Sequence, residues 1–130
     1  MQDHSPKPQA DDAILGQWFN QEQTSKIEIF KMKEMYYGKI SWLKVKHEDG
    51  KPRVDKLNPD ESKRNVPLMG LSLLRRFKGD GCGYFSGGTI YDPKNGKEYS
   101  CKMTLKGKTL DVRGYVGVSL LGRTTVWTRE

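Results

Sequence analysis

The chain of 130 residues is long enough for one ordinary domain and too short for two independent cores. It is polar, with 35% hydrophobic and 30% charged residues, yet three Trp, six Tyr and four Phe exclude a disordered chain, fourteen Gly without a three-residue period exclude collagen, and no apolar run reaches the length of a membrane-spanning helix. A formal net charge of +7 and a pI ≈ 9.4 suggest an anionic partner: nucleic acid, a membrane or envelope surface, or an acidic ligand.

Residues 1–12 are polar, carry Pro6 and Pro8, and lack the apolar core of a signal peptide. They read as a disordered lead, with residues 13–130 as the folded domain. Two settings fit such a start: a cytosolic protein, or a mature chain whose export signal has been removed. Ile14, Leu15, Trp18 and Phe19 form the first apolar cluster. In residues 26–32, Ile27 and Ile29 share one face. In residues 36–45, alternation puts Ile40 and Trp42 on one face and Lys39, Ser41 and Leu43 on the other. A turn at residues 48–52 leads into a polar stretch containing Asn58-Pro59-Asp60. Residues 68–77 are apolar and fit a strand or a short helix, and any helix is confined to residues 67–74. Residues 79–83 hold three glycines and form a turn; without a following Lys-Ser/Thr they are no phosphate loop.

The second half is the clearest. Residues 84–92 and 97–105 flank Asp92-Pro93-Lys94-Asn95-Gly96, a hairpin turn in which Asn95 and Gly96 supply the left-handed residues. Tyr99, Cys101, Met103 and Leu105 alternate with polar neighbours; Leu110, Val112, Val116 and Val118 do the same beyond a tight turn at 106–108. In the last run, Val126 and Trp127 take opposite faces. The lysines also fall at alternate positions, as on the wet face of a sheet, where they blunt strand edges. About eight short antiparallel strands result, and a meander of this length hides its edges by closing. The expectation is all-β: a single small up-and-down barrel of about eight strands.

Three stretches resemble the domain of unknown function family 2147. Gly16-x-Trp18 opens the first strand as in lipocalin-like barrels. Asp55-x-x-Asn58-Pro59-Asp60, continuing through Arg64, Pro67-Leu68 and Gly70-Leu71, is similar to a typical family segment, as is Gly87-Gly88-x-Ile90-Tyr91-Asp92-Pro93-x-x-Gly96-Lys97-x-Tyr99. The tail follows the same pattern through Leu110, Val112-Arg113-Gly114-Tyr115, Gly122-Arg123-Thr124 and Trp127-Thr128-Arg129. Phe85 stands where the family usually has Trp, Glu61 where it often has Pro, and residues 21–25 lack its Asp-Gly turn. The resemblance implies a lipocalin-like (calycin) barrel in an exported bacterial protein, periplasmic or in the cell envelope, with no established activity. It carries over no catalytic residues.

Trp18 near the barrel's start and Arg123 or Arg129 near its end are candidates for a guanidinium stacked on an indole that ties the termini together. Trp42, Tyr91, Arg113, Tyr115 and Trp127 are candidate ligand-binding residues, since a pocket needs apolar walls and a few orienting polar groups. Parity puts Arg113 and Tyr115 outside unless a bulge at Gly114 or Gly117 shifts the phase, so an exterior patch or rim is the competing reading. Asp55, Asn58, Asp60 and Arg64 form a polar loop that either recognises a ligand at the barrel mouth or holds itself together. Cys82 and Cys101 fit no metal spacing with His4 and His47, and no cofactor is implied. Cys101 is expected opposite Gly88, leaving Cys82 roughly 20 Å away along the strand and the two thiols unbridged. No Ser, Thr or Cys has a partnered base in view, so the expectation is a non-enzymatic, exported barrel that binds a small hydrophobic or amphipathic ligand, such as a lipid or envelope fragment. The alternative is an interaction module whose basic outer face docks to anionic envelope components or a partner protein. Nucleic-acid binding rests on net charge alone and does not suit an exported protein.

Overall fold

The computed structural model describes residues 10–129. Its strands are β1 (Gly16–Phe19), β2 (Ser25–Met32), β3 (Met35–Leu43), β4 (His47–Glu48), β5 (Lys51–Pro52), β6 (Ser72–Gly79), β7 (Tyr84–Asp92), β8 (Lys97–Lys106), β9 (Thr109–Tyr115) and β10 (Arg123–Arg129). Eight of them close an antiparallel barrel in the order β1-β10-β9-β8-β7-β6-β3-β2, while β4 and β5 pair as a separate short ribbon in the β3–β6 connection. Period-two alternation sets which side chains enter. Cys101 and Met103 of β8 and Leu110 and Val112 of β9 are buried, and their neighbours face outward.

The interior is filled by large side chains. Trp18, Phe77, Phe85, Met103, Leu110 and Trp127 are all buried, and Ile27, Ile29, Ile40 and Leu74 pack among them. Each such residue contributes about 1.5–3 kcal/mol through burial. Trp127 is therefore a core residue opposite Leu110, with Val126 on the wet face.

Local irregularities change several expectations. The register of β2 on β3 shifts between Lys26 and Ile27, so Ser41 is the extra residue. Trp42 then pairs with Lys26 and Leu43 turns inward to be buried, the reverse of a straight alternation. Among the described residues there is no α-helix: the window 67–74 holds the bridge residue Pro67, a turn and the first residues of β6, which pairs with β3 and β7, and the 3-10 turns lie elsewhere, at Ala10–Ile14, Glu61–Lys63 and Ser119–Leu121. β9 stops at Tyr115, leaving Val116 and Val118 exposed rather than inward. In the β7–β8 turn only Gly96 has positive φ (72°), and Asn95 instead accepts from the Lys97 N–H.

Both ends of the described chain gather at one end of the barrel, the closed end. Residues 10–12 belong to an ordered 3-10 turn instead of the disordered lead; residues 1–9 lie outside the described residues. Asp11 is buried, and its carboxyl accepts from the Gly81 and Gly83 N–H groups at 2.6 and 3.0 Å. A Cβ at Gly79 would overlap that carboxyl, so only glycine fits beside it. Asp12 accepts from the Tyr36 hydroxyl and, at 3.2 Å, from Lys31; the Tyr36 bond holds its carboxyl below the usual range.

Closure falls to the seam of β1 and β10, which has two register pairs, Trp18↔Arg129 and Phe19↔Thr128. The Arg129 guanidinium lies 4.0 Å from the centre of the Trp18 ring. It also donates to the Leu15 carbonyl at 2.8 Å and to the Ala13 carbonyl, while the Trp18 indole donates to the Ile14 carbonyl at 2.8 Å. Gly16, at φ 113°, leaves room for this: a Cβ there would lie 3.1 Å from Arg129 Nη1. Arg123, the other candidate for the seam, is exposed at the opposite end of β10. Cys101 pairs with Gly88 and is buried; Cys82 is exposed, and both are free thiols.

Arg129→Ala is expected to cost about 2–3 kcal/mol from the lost stacking and carbonyl bonds, with Arg129→Lys recovering part of it, measured by urea unfolding. Alkylation followed by mass spectrometry is expected to label Cys82 in the native protein and Cys101 only after unfolding, because burial excludes reagent and pushes the Cys101 thiol up to about 12. Equal labelling of both native thiols would contradict this packing.

Candidate functional site

The β3–β6 connection makes the site. After β5 it folds back along the barrel's flank near the open end, held by an isolated bridge between Val54 and Pro67. Asp55 is its anchor. This residue is 1% exposed, its N–H donates to the Val66 carbonyl at 2.9 Å, and its carboxyl accepts from the Tyr91 hydroxyl and the Asn58 amide, each at 2.8 Å. Tyr91 pairs with Glu98, on the outer side of the alternation that sends Ile90 and Tyr99 inward. The tyrosine thus ties the connection to the outer wall of β7. Burial, then the bond to Asp55, pushes its hydroxyl up from 10.0 to about 12.

The rest of the loop is self-supporting. Asn58 Oδ1 accepts from the Asp60 N–H, Asp60 caps the Glu61–Lys63 turn by accepting from Ser62, and Arg64 Nε donates to the Asn58 carbonyl at 2.7 Å. The Ser62 hydroxyl bond is the main cause of Asp60's lowered pKa.

Between this loop and the outer wall of β6–β8 lies a cleft of about 310 Å³. Leu71, Val66, Pro59 and Tyr91 line it beside the buried Asp55, and Lys63, Arg75, Asp60 and Glu98 add charge. A smaller hollow of about 170 Å³ continues from it past Arg75 and Glu98 to Arg76, Gly87 and Thr89. This extension exists because both strands are irregular there. β7 shifts register between Phe85 and Gly88, and β6 carries Arg75 and Arg76 both outward, with Arg76 at φ 63°. A non-glycine residue in that conformation is strained by about 1–2 kcal/mol, and such strain concentrates at functional sites.

Of the sequence-predicted residues, Tyr91, Asp55, Asn58 and Asp60 meet at the cleft, with Arg64 bracing it from behind. The other candidates disperse. Trp42 lies on the outer wall of β3, edge-on to Phe19 at 6.0 Å with Lys26 and Lys46 over its ring. Arg113 and Tyr115 are on the outer wall of β9, where no bulge turns them in: Arg113 donates to the Ser119 carbonyl and Thr124 hydroxyl, and Lys102 lies over the Tyr115 ring. Trp127 is in the core. Lys63, Arg75, Arg76 and Glu98 were missed. The signal for the arginines was the pair itself, which breaks period two between Leu74 and Phe77. Among the described residues no group of three or more His, Cys, Asp or Glu converges to hold a metal ion.

A closed eight-stranded antiparallel barrel whose first-strand Trp is covered by an Arg from the last strand is a lipocalin-like barrel. Over residues 16–129 the chain matches the family described as "Uncharacterized protein conserved in bacteria (DUF2147)", and it belongs to that family. A solved structure described as "Protein HP1028 from the human pathogen Helicobacter pylori belongs to the lipocalin family" has the same fold, with a TM-score of 0.78 at 24% identity over 90% of this chain and 82% of that one. No curated protein matches the chain.

Tyr91→Phe removes one of the Asp55 carboxyl's two side-chain donors and is expected to cost about 1–3 kcal/mol at neutral pH. Because the folded hydroxyl titrates above its unfolded value, its contribution is complete below pH 10 and fades as pH rises toward 12. The stability gap between wild type and variant in urea should therefore close over that range; a gap that stays constant argues against the Tyr91–Asp55 tie.

Proposed function

We propose that this protein is a non-catalytic carrier or receptor for a small amphipathic molecule, bound in the flank cleft beneath the β3–β6 connection rather than inside the barrel. The observation that carries this reading is the pairing of a filled interior with a cleft outside it that apolar and charged side chains line together. A volume of about 310 Å³ is at the small end for ligand pockets, enough for a compact molecule and not for a long acyl chain. Leu71, Val66 and Tyr91 offer contact for its apolar part, while Lys63 and Arg75 face an anionic group and Asp60 and Glu98 accept from hydroxyls or an amine. The proposal includes an exported setting, periplasmic or envelope-bound, and the ligand is then a compact lipid or envelope fragment. Membership in a bacterial family and the export implied by the sequence resemblance support that setting.

Native mass spectrometry of protein recovered from its host's envelope fraction, followed by organic extraction, tests both parts. Expected is a discrete added mass that extraction removes, lost in Arg75→Glu and retained in Arg113→Gln. Protein confined to the cytosolic fraction would reject the setting. A clean apo mass, or a ligand indifferent to Arg75→Glu, would reject the cleft.

A further inference from the structure

The open end of the barrel, opposite the packed termini, carries most of the exposed apolar surface. Val45 and Leu57 of the β3–β6 connection are 58% and 48% exposed, but the densest group is the β9–β10 connection. There Val116, Val118, Leu120 and Leu121 stand 67%, 58%, 88% and 78% exposed within six residues. Isolated exposed leucines are ordinary; four large aliphatics on one connection are an interaction surface.

The connection is held in this posture from beneath. Arg113 Nε donates to the Ser119 carbonyl at 2.7 Å, and the turn closes through Leu121 N–H to Val118 and Gly122 N–H to Ser119. Gly122 is wedged against the Gly114 carbonyl, where a Cβ would lie 2.6 Å away. The backbone is thus pinned to the barrel while the two leucines project outward. This accounts for Arg113, which has no part in the cleft.

Charge selects the occupant. From residue 112 to residue 129 there is no Asp or Glu. Exposed Arg123 immediately follows the tip, exposed Lys94 and Lys97 stand with Asp92 and Glu98 on the β7–β8 hairpin at the same end, and the whole chain carries +7. A projecting aliphatic tip on an acid-free connection, with Arg123 next to it, matches a layer that is negative at its surface and apolar just below it. We propose that the β9–β10 connection docks this end of the barrel on an anionic lipid bilayer, Leu120 and Leu121 entering the interface and Arg123, Lys94 and Lys97 meeting lipid headgroups. This inference does not depend on the cleft being a ligand site.

Flotation of the full chain with phosphatidylcholine vesicles, with and without phosphatidylglycerol, tests it. Expected is binding to the phosphatidylglycerol vesicles, weakened by salt and at least about tenfold weaker in the double variant Leu120→Ser, Leu121→Ser. Both side chains are exposed, so thermal unfolding of that variant should match wild type. Leu120→Trp gives a second readout, a blue shift in tryptophan emission on the anionic vesicles beyond any shift of wild type. No binding to either vesicle, equal binding to both, or binding undiminished by the double variant with no shift from Leu120→Trp would overturn the proposal. So would self-association abolished by the same double variant, which would assign the tip to a second copy of the chain.

Discussion

Only two residue pairs join β1 to β10, against six between β10 and β9 and seven between β9 and β8, so closure of the barrel rests on what surrounds that short seam. Arg129 supplies it. Its guanidinium covers Trp18 and ties β10 to the carbonyls of Ala13 and Leu15, joining the last strand to the chain ahead of the first. Burial works against the guanidinium's charge and lowers its pKa, a cost offset by the carbonyl acceptors and the ring face. Every other strand can keep its register because the sheet has nowhere to open. The Asp11 carboxyl on the Gly81 and Gly83 N–H groups fixes the neighbouring turn at the same end.

A closed end and a filled interior constrain where chemistry can happen. Trp127, Phe77 and Phe85 occupy the space in which a wider barrel would hold a molecule. What remains is the long β3–β6 connection, which leaves and rejoins the barrel at its open end on neighbouring strands and is the only described connection with enough chain to build a wall of its own. Its single buried acid, Asp55, selects the flank on which it settles, because Tyr91 is there to donate to it.

The barrel was legible because its second half obeys a period-two rule with little interruption: β7 and β8 fall where the Asn-Gly turn and the alternation of Tyr99, Cys101 and Met103 put them. The pairing of Trp18 with an arginine could also be anticipated, although the sequence offered Arg123 equally and only strand direction separates them. Trp42 was misassigned because alternation cannot see a bulge, and one extra residue at Ser41 reverses every side chain beyond it. The cleft was only half visible. Asp55, Asn58 and Tyr91 belong to dense polar or aromatic motifs, whereas Arg75, Lys63 and Glu98 are ordinary surface charges until the connection folds over them. Asp11 was invisible for a different reason: its partners are backbone groups seventy residues away in sequence, and backbone leaves no signature in a string of side chains.

The placement of the described ends has a practical geometry. Ala10 and Arg129 both sit at the closed end, where the Arg129 N–H reaches the Lys108 carbonyl and Asp11 reaches Gly81. A tether joined directly at residue 10 or residue 129 therefore leaves from the same pole. Measured from an attachment there, the aliphatic tip lies at the far end of the barrel.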